Sequence, residues 1–277
     1  MVASGNVGML VALLVCPQIR PWQWMFIGFG MSGLAWCLAV VLSSRYIAPT
    51  CKETIDSEGE DMEALKADVP MQLEGLELFK RLITCRPMLA ICAAHFAQNW
   101  TNYTMNSWLP KYLHEVLNVP VTSLWLTAVP YLAMTISNIL AGRCADALIS
   151  NRTMNVLTVR WSATALGLIG PAICHLLFVT AATPRMAIAV ATVAYFLGGA
   201  TSAGYMANHA DISNNYAGLT FSISNTLATI PGIAAGPFTA WLLSAGMGWN
   251  SVFAVASFVN MLCAGLYFQF ARAHRVL

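Results

Sequence analysis

An all-α, multi-pass membrane protein of about eight transmembrane helices is predicted from three observations. Hydrophobic residues make up 58% of the 277-residue chain, charged residues only 9%, and long uncharged apolar runs recur along its length. A soluble domain carries roughly 25% charged residues to solvate its surface, so water is not the main solvent of this chain. A run of about 20 apolar residues, rising 1.5 Å per residue, crosses the hydrocarbon core. Such runs lie near residues 3–19, 23–43, 87–110, 121–141, 156–180, 186–207, 219–245 and 249–270.

The first span is the shortest. The opening MVASGN has no positive region ahead of its apolar stretch, which argues against a cleaved signal peptide. A membrane helix that begins almost at Met1 predicts a natural beginning farther upstream. Between the second and third spans lies the one polar stretch, residues 45–86, with nine of the twelve acidic residues. Its second half sets Leu73, Leu76, Phe79, Leu82 and Ile83 at helical spacing, with Glu74, Glu77, Lys80 and Arg81 on the other side. That pattern fits a helix lying flat on the membrane; a disordered linker is the alternative.

The third span is the most informative. His95, Gln98, Asn99, Asn102 and Asn106 fall within about a 100° arc of one helix. Lipid would leave their donors and acceptors unpaired at roughly 1 to 3 kcal/mol each, so this face looks into the protein or a wet cavity. Amides suit an oxyanion because each NH₂ donates two hydrogen bonds without the desolvation cost of a fixed charge. A static contact between helices, held by the same hydrogen bonds, is equally consistent with the residues.

Glycine is frequent in the sixth span (Gly198, Gly199, Gly204), and proline joins it in the seventh (Pro231, Gly232, Gly236, Pro237). Small residues allow close helix approach, and prolines bend or break helices, so a bend is expected at Pro231. Just before it, Ser222, Asn225, Thr226 and Thr229 share one face. The two polar faces are expected to meet across a solvent-reachable gap, although Ser and Thr can also satisfy themselves on the carbonyl four residues earlier.

Eleven Lys and Arg residues fall on one side of the spans, against only Arg20, Lys111 and Arg185 on the other. Positive loops stay cytoplasmic, so both termini are expected in the cytoplasm. Outside the polar loop the acidic residues are Glu115, pairing with Lys111 one turn away, Asp146 in a cytoplasmic turn, and Asp211. With no carboxylate at mid-membrane, a coupling proton would be carried by His95 or His209, because histidine titrates near neutrality, or by a carboxylate outside these residues. His175 is expected to be a packing residue.

A net charge of +2 without a basic cluster excludes nucleic acid as a partner. Cys16, Cys37, Cys92, Cys174 and Cys263 sit in apolar runs at irregular spacing. They suggest neither disulfides nor a metal site, and are expected to be small buried hydrophobes. HExxH, GxSxG and P-loop patterns are missing from the chain, so neither catalysis nor a cofactor is expected. The sequons at Asn99, Asn102 and Asn151 lie in a span or on the cytoplasmic side and are not expected to carry glycans.

GRCADALISNR at residues 142–152, followed by Val159-Arg160, resembles the cytoplasmic-loop signature of the major facilitator superfamily. Asn208-His209-Ala210-Asp211-Ile212, Tyr216-Ala217-Gly218 and SISNTLATIPG at 222–232 resemble its anion:cation symporter family, the group of sialin, vesicular glutamate and plastid phosphate transporters. Asn99-Trp100, Trp108-Leu109-Pro110 and Pro130-Tyr131-Leu132 add to the likeness. The resemblance implies two six-helix halves that rock about a central site. On that pattern residues 1–46 are the last two helices of the N-terminal half, 47–86 the central cytoplasmic loop, and 87–277 the six-helix C-terminal half, with four helices missing. It further implies a small anion substrate, phosphate or carboxylate, moved with a proton or sodium ion. Arg143, Asp146, Arg160, His209 and Asp211 would serve a cytoplasmic gate or coupling. Two positions depart from the pattern: Gln98 stands where vesicular glutamate transporters have an arginine, and Asn214-Asn215 replace the usual Pro-Arg. A non-transporting, truncated membrane protein acting through a partner is the alternative.

Overall fold

The computed structural model describes residues 21–43 and 75–275, with residues 8, 11, 12 and 15–19 before them. Most of the first expected span, residues 3–19, lies outside the described residues, as does the polar stretch up to residue 74. The chain divides into two compact units, residues 15–79 and the remainder.

In the smaller unit, α1 (Gln23–Ser43) is a 21-residue apolar helix with nearly every side chain exposed. Cys37, expected to be buried, is therefore exposed: α1 presents greasy side chains such as Phe26, Leu34 and Trp36 rather than packing them. The amphipathic segment is a helix, α2 (Gly75–Thr84), whose buried positions are Leu78 and Leu82. Of the apolar stripe expected to lie on the membrane, Leu82 is buried in the protein, while Phe79 and Ile83 are exposed.

The larger unit is a helical bundle: α3 (Arg86–Glu115), α4 (Ala128–Ser150), α5 (Val156–Phe178), α6 (Pro184–Gly199), α7 (Tyr205–Ile212), α8 (Ala217–Ser244) and α9 (Gly248–Phe270). Among the described residues six helical stretches are long and apolar enough to cross a membrane, α6 and α7 together forming one of them. At 30 residues α3 is a seventh by length, about 45 Å. Its polar face lowers its hydropathy, which is affordable because α3 packs between α8 and α9. Around it α5 packs on α9 and α6, and α6 packs on α4.

Local chemistry sets the ends. Thr183 caps α6 by accepting from Met186 N–H, and Pro184 occupies the first turn, where a missing N–H costs nothing. Asn155 caps α5 in the same way through Thr158 N–H at 2.8 Å. The end of α8 is closed by Gly246 at φ +75°, with Met247 N–H donating to Leu242 O and Gly246 N–H to Leu243 O. This is the 6→1 and 5→2 pair that favours glycine at the turn.

The break falls in a different place from the expected one. Despite Pro231 and Pro237, α8 is helical throughout, whereas the preceding span breaks between α6 and α7 through a 3₁₀ turn at Ala200–Ser202. Close packing accounts for the glycines flanking it. A Cβ on Gly199 would stand 2.9 Å from Met134 O, and one on Gly204 would stand 2.7 Å from Thr164 N. Any side chain there would drive the broken span away from α4 and α5. Asp146, expected in a turn, lies inside α4, which runs on to Ser150 before Asn151 closes it.

Near the C-terminal end of α3 the core is aromatic: Tyr112, Phe178 and Phe253 meet with ring centroids 4.9 to 5.6 Å apart. Cys92, Cys174 and Cys263 are buried.

Candidate functional site in the polar interior of the bundle

The five-residue polar face of α3 is divided among three neighbourhoods. His95 and Asn99 turn toward α8: His95 Nδ1 lies 3.1 Å from Ser224 Oγ, and Asn99 Nδ2 donates to Ala228 O at 2.8 Å. Gln98 and Asn102 line a small cavity shared with Thr101, His175, Tyr195 and Asn260. Asn106 Oδ1 accepts from the hydroxyls of Tyr131 on α4 and Tyr195 on α6, the latter at 3.0 Å. Gln98 and Asn102 alone of the five make no hydrogen bond to another side chain or carbonyl among the described residues.

On α8 the stripe of Ser222, Asn225, Thr226 and Thr229 is exposed on the open side of the bundle. Three of its hydroxyls bond their own helix four residues back: Ser222 to Gly218 O, Thr226 to Ser222 O and Thr229 to Asn225 O, at 2.8 to 2.9 Å. The stripe therefore does not face the polar face of α3. The opposite side of α8 does, with Thr220, Ser224 and Ala228 fully buried.

Ser224 is the centre of a buried chain. Its Oγ lies 3.1 Å from His95 Nδ1 and 3.1 Å from His209 Nε2. One hydroxyl, with a single proton and two lone pairs, thus joins α3 to α7 through α8. Tyr205 and Phe221 wall the pair, at 5.4 and 6.0 Å from the His95 ring.

Beyond His209, Asp211 receives Arg160 of α5 in a fork: Nε to Oδ2 at 2.7 Å and Nη2 to Oδ1 at 3.2 Å. The third guanidinium nitrogen donates to Ala203 O in the break. Both side chains are largely shielded, at 12% and 16% exposure, so this pair is stronger than an open surface bridge. Asn208, oriented to satisfy both ends of its amide, accepts from Tyr267 and donates to Asp211 Oδ2 and to Arg272 O. Arg143 and Asp146 are exposed on α4 and form no ion pair among the described residues. Lys111 and Glu115 stand 3.8 Å apart and exposed. No cluster of three or more His, Cys, Asp or Glu residues that could hold a metal occurs among the described residues.

Ser224 and Tyr195 were not singled out in the sequence, and Asn208 and Tyr131 entered only as members of the motifs that carry the family resemblance. A signal for Ser224 was present: Thr220, Ser224 and Ala228 repeat small residues every fourth position, the spacing that lets membrane helices touch.

Comparison with known proteins adds a second line of evidence. Residues 1–236 match the Major Facilitator Superfamily. Sialin of Ovis aries is 34% identical, over 98% of this chain and 56% of that protein. The chloroplastic ascorbate transporter of Arabidopsis thaliana is 29% identical, over 92% of this chain and 47% of that protein. A putative inorganic phosphate cotransporter of Drosophila ananassae is 28% identical, over 92% and 54% respectively. The chain spans about half the length of the relatives it matches.

Proposed function

Because the chain belongs to the major facilitator superfamily and falls with its anion:cation symporters, we propose that it forms part of a secondary active transporter for a small anion. The substrate class is phosphate or an organic carboxylate, coupled to a proton or sodium ion through alternating access. Both termini face the cytoplasm. Residues 87–277 act as one six-helix half, residues 1–46 as the end of the other, and 47–86 as the loop between them.

The observation that carries this reading is a polar interior built around a broken span. The break between α6 and α7 supplies irregular backbone where it is shielded by protein, a setting in which a membrane tolerates it. Gln98 and Asn102 keep free hydrogen-bonding capacity beside it and would donate to the anion once alternating access widens the small chamber they line. The exposed stripe of Ser222, Asn225, Thr226 and Thr229 would complete the route from α8. His95, Asn99 and Asn106, already bonded to neighbouring helices, would hold α3 in position. Arg160 and Asp211 would lock the cytoplasmic side, with His209 beside them for coupling and Arg143 and Asp146 at the α4 edge.

Reconstitution into liposomes tests this, with uptake of phosphate and of ascorbate measured under imposed pH and sodium gradients. Gradient-dependent uptake is expected, and Asn102→Leu should abolish it while leaving expression intact. No uptake under any gradient would favour a non-transporting role through a membrane partner.

A further inference from the structure

The cavity on the inner side of α3 has two walls that the transport reading does not use. His175 on α5 and Asn260 on α9 both line it, and each is only 1% exposed. Neither ring nitrogen of His175 has a partner among the described residues, and neither does Asn260 Oδ1, although Asn260 Nδ2 donates to Thr101 Oγ1 at 2.9 Å. Two helices that meet along their length thus each bring a residue with an unpaired polar atom to the wall of the same space. An apolar residue would serve better if nothing occupied that space, because a buried donor or acceptor without a partner costs more than the hydrogen bond it forgoes.

The room available selects the occupant. The cavity offers about 10 Å³ to the centre of a water-sized sphere, roughly what one water molecule needs. Asn260 Oδ1 requires a donor, while a neutral imidazole presents one donor and one acceptor. A group that can both donate and accept serves the amide oxygen together with one ring nitrogen, whichever tautomer the ring adopts. A metal cation could take the oxygen and the lone-pair nitrogen of the ring, but no carboxylate lines the space to balance its charge. An oxyanion is too large.

We propose that this cavity is a binding site for a single ordered water, held by His175 and by Asn260 Oδ1. It ties α5 to α9 and, through Thr101, to α3. Gln98 and Asn102 line the same chamber, so the polar face of α3 is hydrated on its inner side. The site does not depend on what the protein transports.

The chain in lipid nanodiscs, solved at a resolution that shows ordered water, tests it. A density peak is expected within hydrogen-bonding range of both Asn260 Oδ1 and a His175 ring nitrogen. An empty cavity, or the two side chains turned onto direct protein partners, would overturn the proposal. His175→Phe keeps the ring and removes both nitrogens. The peak should vanish with Tm unchanged or raised, whereas a peak that persists in place would show that His175 does not hold it. Magnetisation transfer from water to the His175 ring nitrogens in the native chain gives a readout that needs no variant, and its absence would also refute the site.

Discussion

The pair joining Arg160 to Asp211 lends itself to a quantitative test. Replacing Asp211 by Leu removes both acceptors of the fork and leaves a guanidinium, 12% exposed, with only Ala203 O to bond. Removing one partner of a buried ion pair costs about 3 to 5 kcal/mol, because the other charge stays behind uncompensated. The lower end applies here, since some exposure lets water reach the arginine. Arg160→Met strands the carboxylate in the same way, although Asn208 still donates to it. The double variant removes both charges and should be closer to the native protein than the sum of the singles, with a coupling of about 2 kcal/mol or more. At roughly 2 to 4 °C per kcal/mol for a domain of this size, the single variants should lower Tm by about 6 to 12 °C. Thermal unfolding of the four proteins in one detergent measures this directly. Additive losses would refute the claim that the two side chains act on each other.

Three further outcomes are expected. Ser224→Ala breaks both links to His95 and His209 and should lower stability by about 1 to 3 kcal/mol, read as a drop in Tm; Ser224→Thr, which keeps a hydroxyl, should lose less if its methyl fits. Gly204→Ala places a methyl 2.7 Å from Thr164 N and should cost about 1 to 3 kcal/mol by overpacking, whereas Gly218→Ala, which meets nothing within 4 Å, should be neutral or better. Cysteines at positions 222, 226 and 229 should react with water-soluble thiol reagents if the α8 stripe borders an aqueous route, while one at Ser224, which is fully buried, should not; equal labelling at all four would disprove the assignment of faces.

Hydropathy and charge alone determined most of the architecture. Composition leaves a chain with 9% charged residues one main solvent, and the apolar runs at 156–180 and 249–270 became α5 and α9 to within a few residues. The 100° polar arc on α3 was equally legible, since helical periodicity is a property of sequence. Partner choice was not. Asn99 bonds a carbonyl and Asn106 two tyrosine hydroxyls, and no spacing along α3 announces which helix will stand opposite. Ser224 was passed over for Ser222 because both are serines on one helix. Only the packing of α8 on α3 decides which of them is buried between two histidines and which bonds its own backbone in the open. The break moved from Pro231 to the stretch between Gly199 and Gly204 for a similar reason. A proline removes one donor wherever it sits, whereas the close approach of Gly199 to α4 and of Gly204 to α5 at the break exists only once the bundle has assembled.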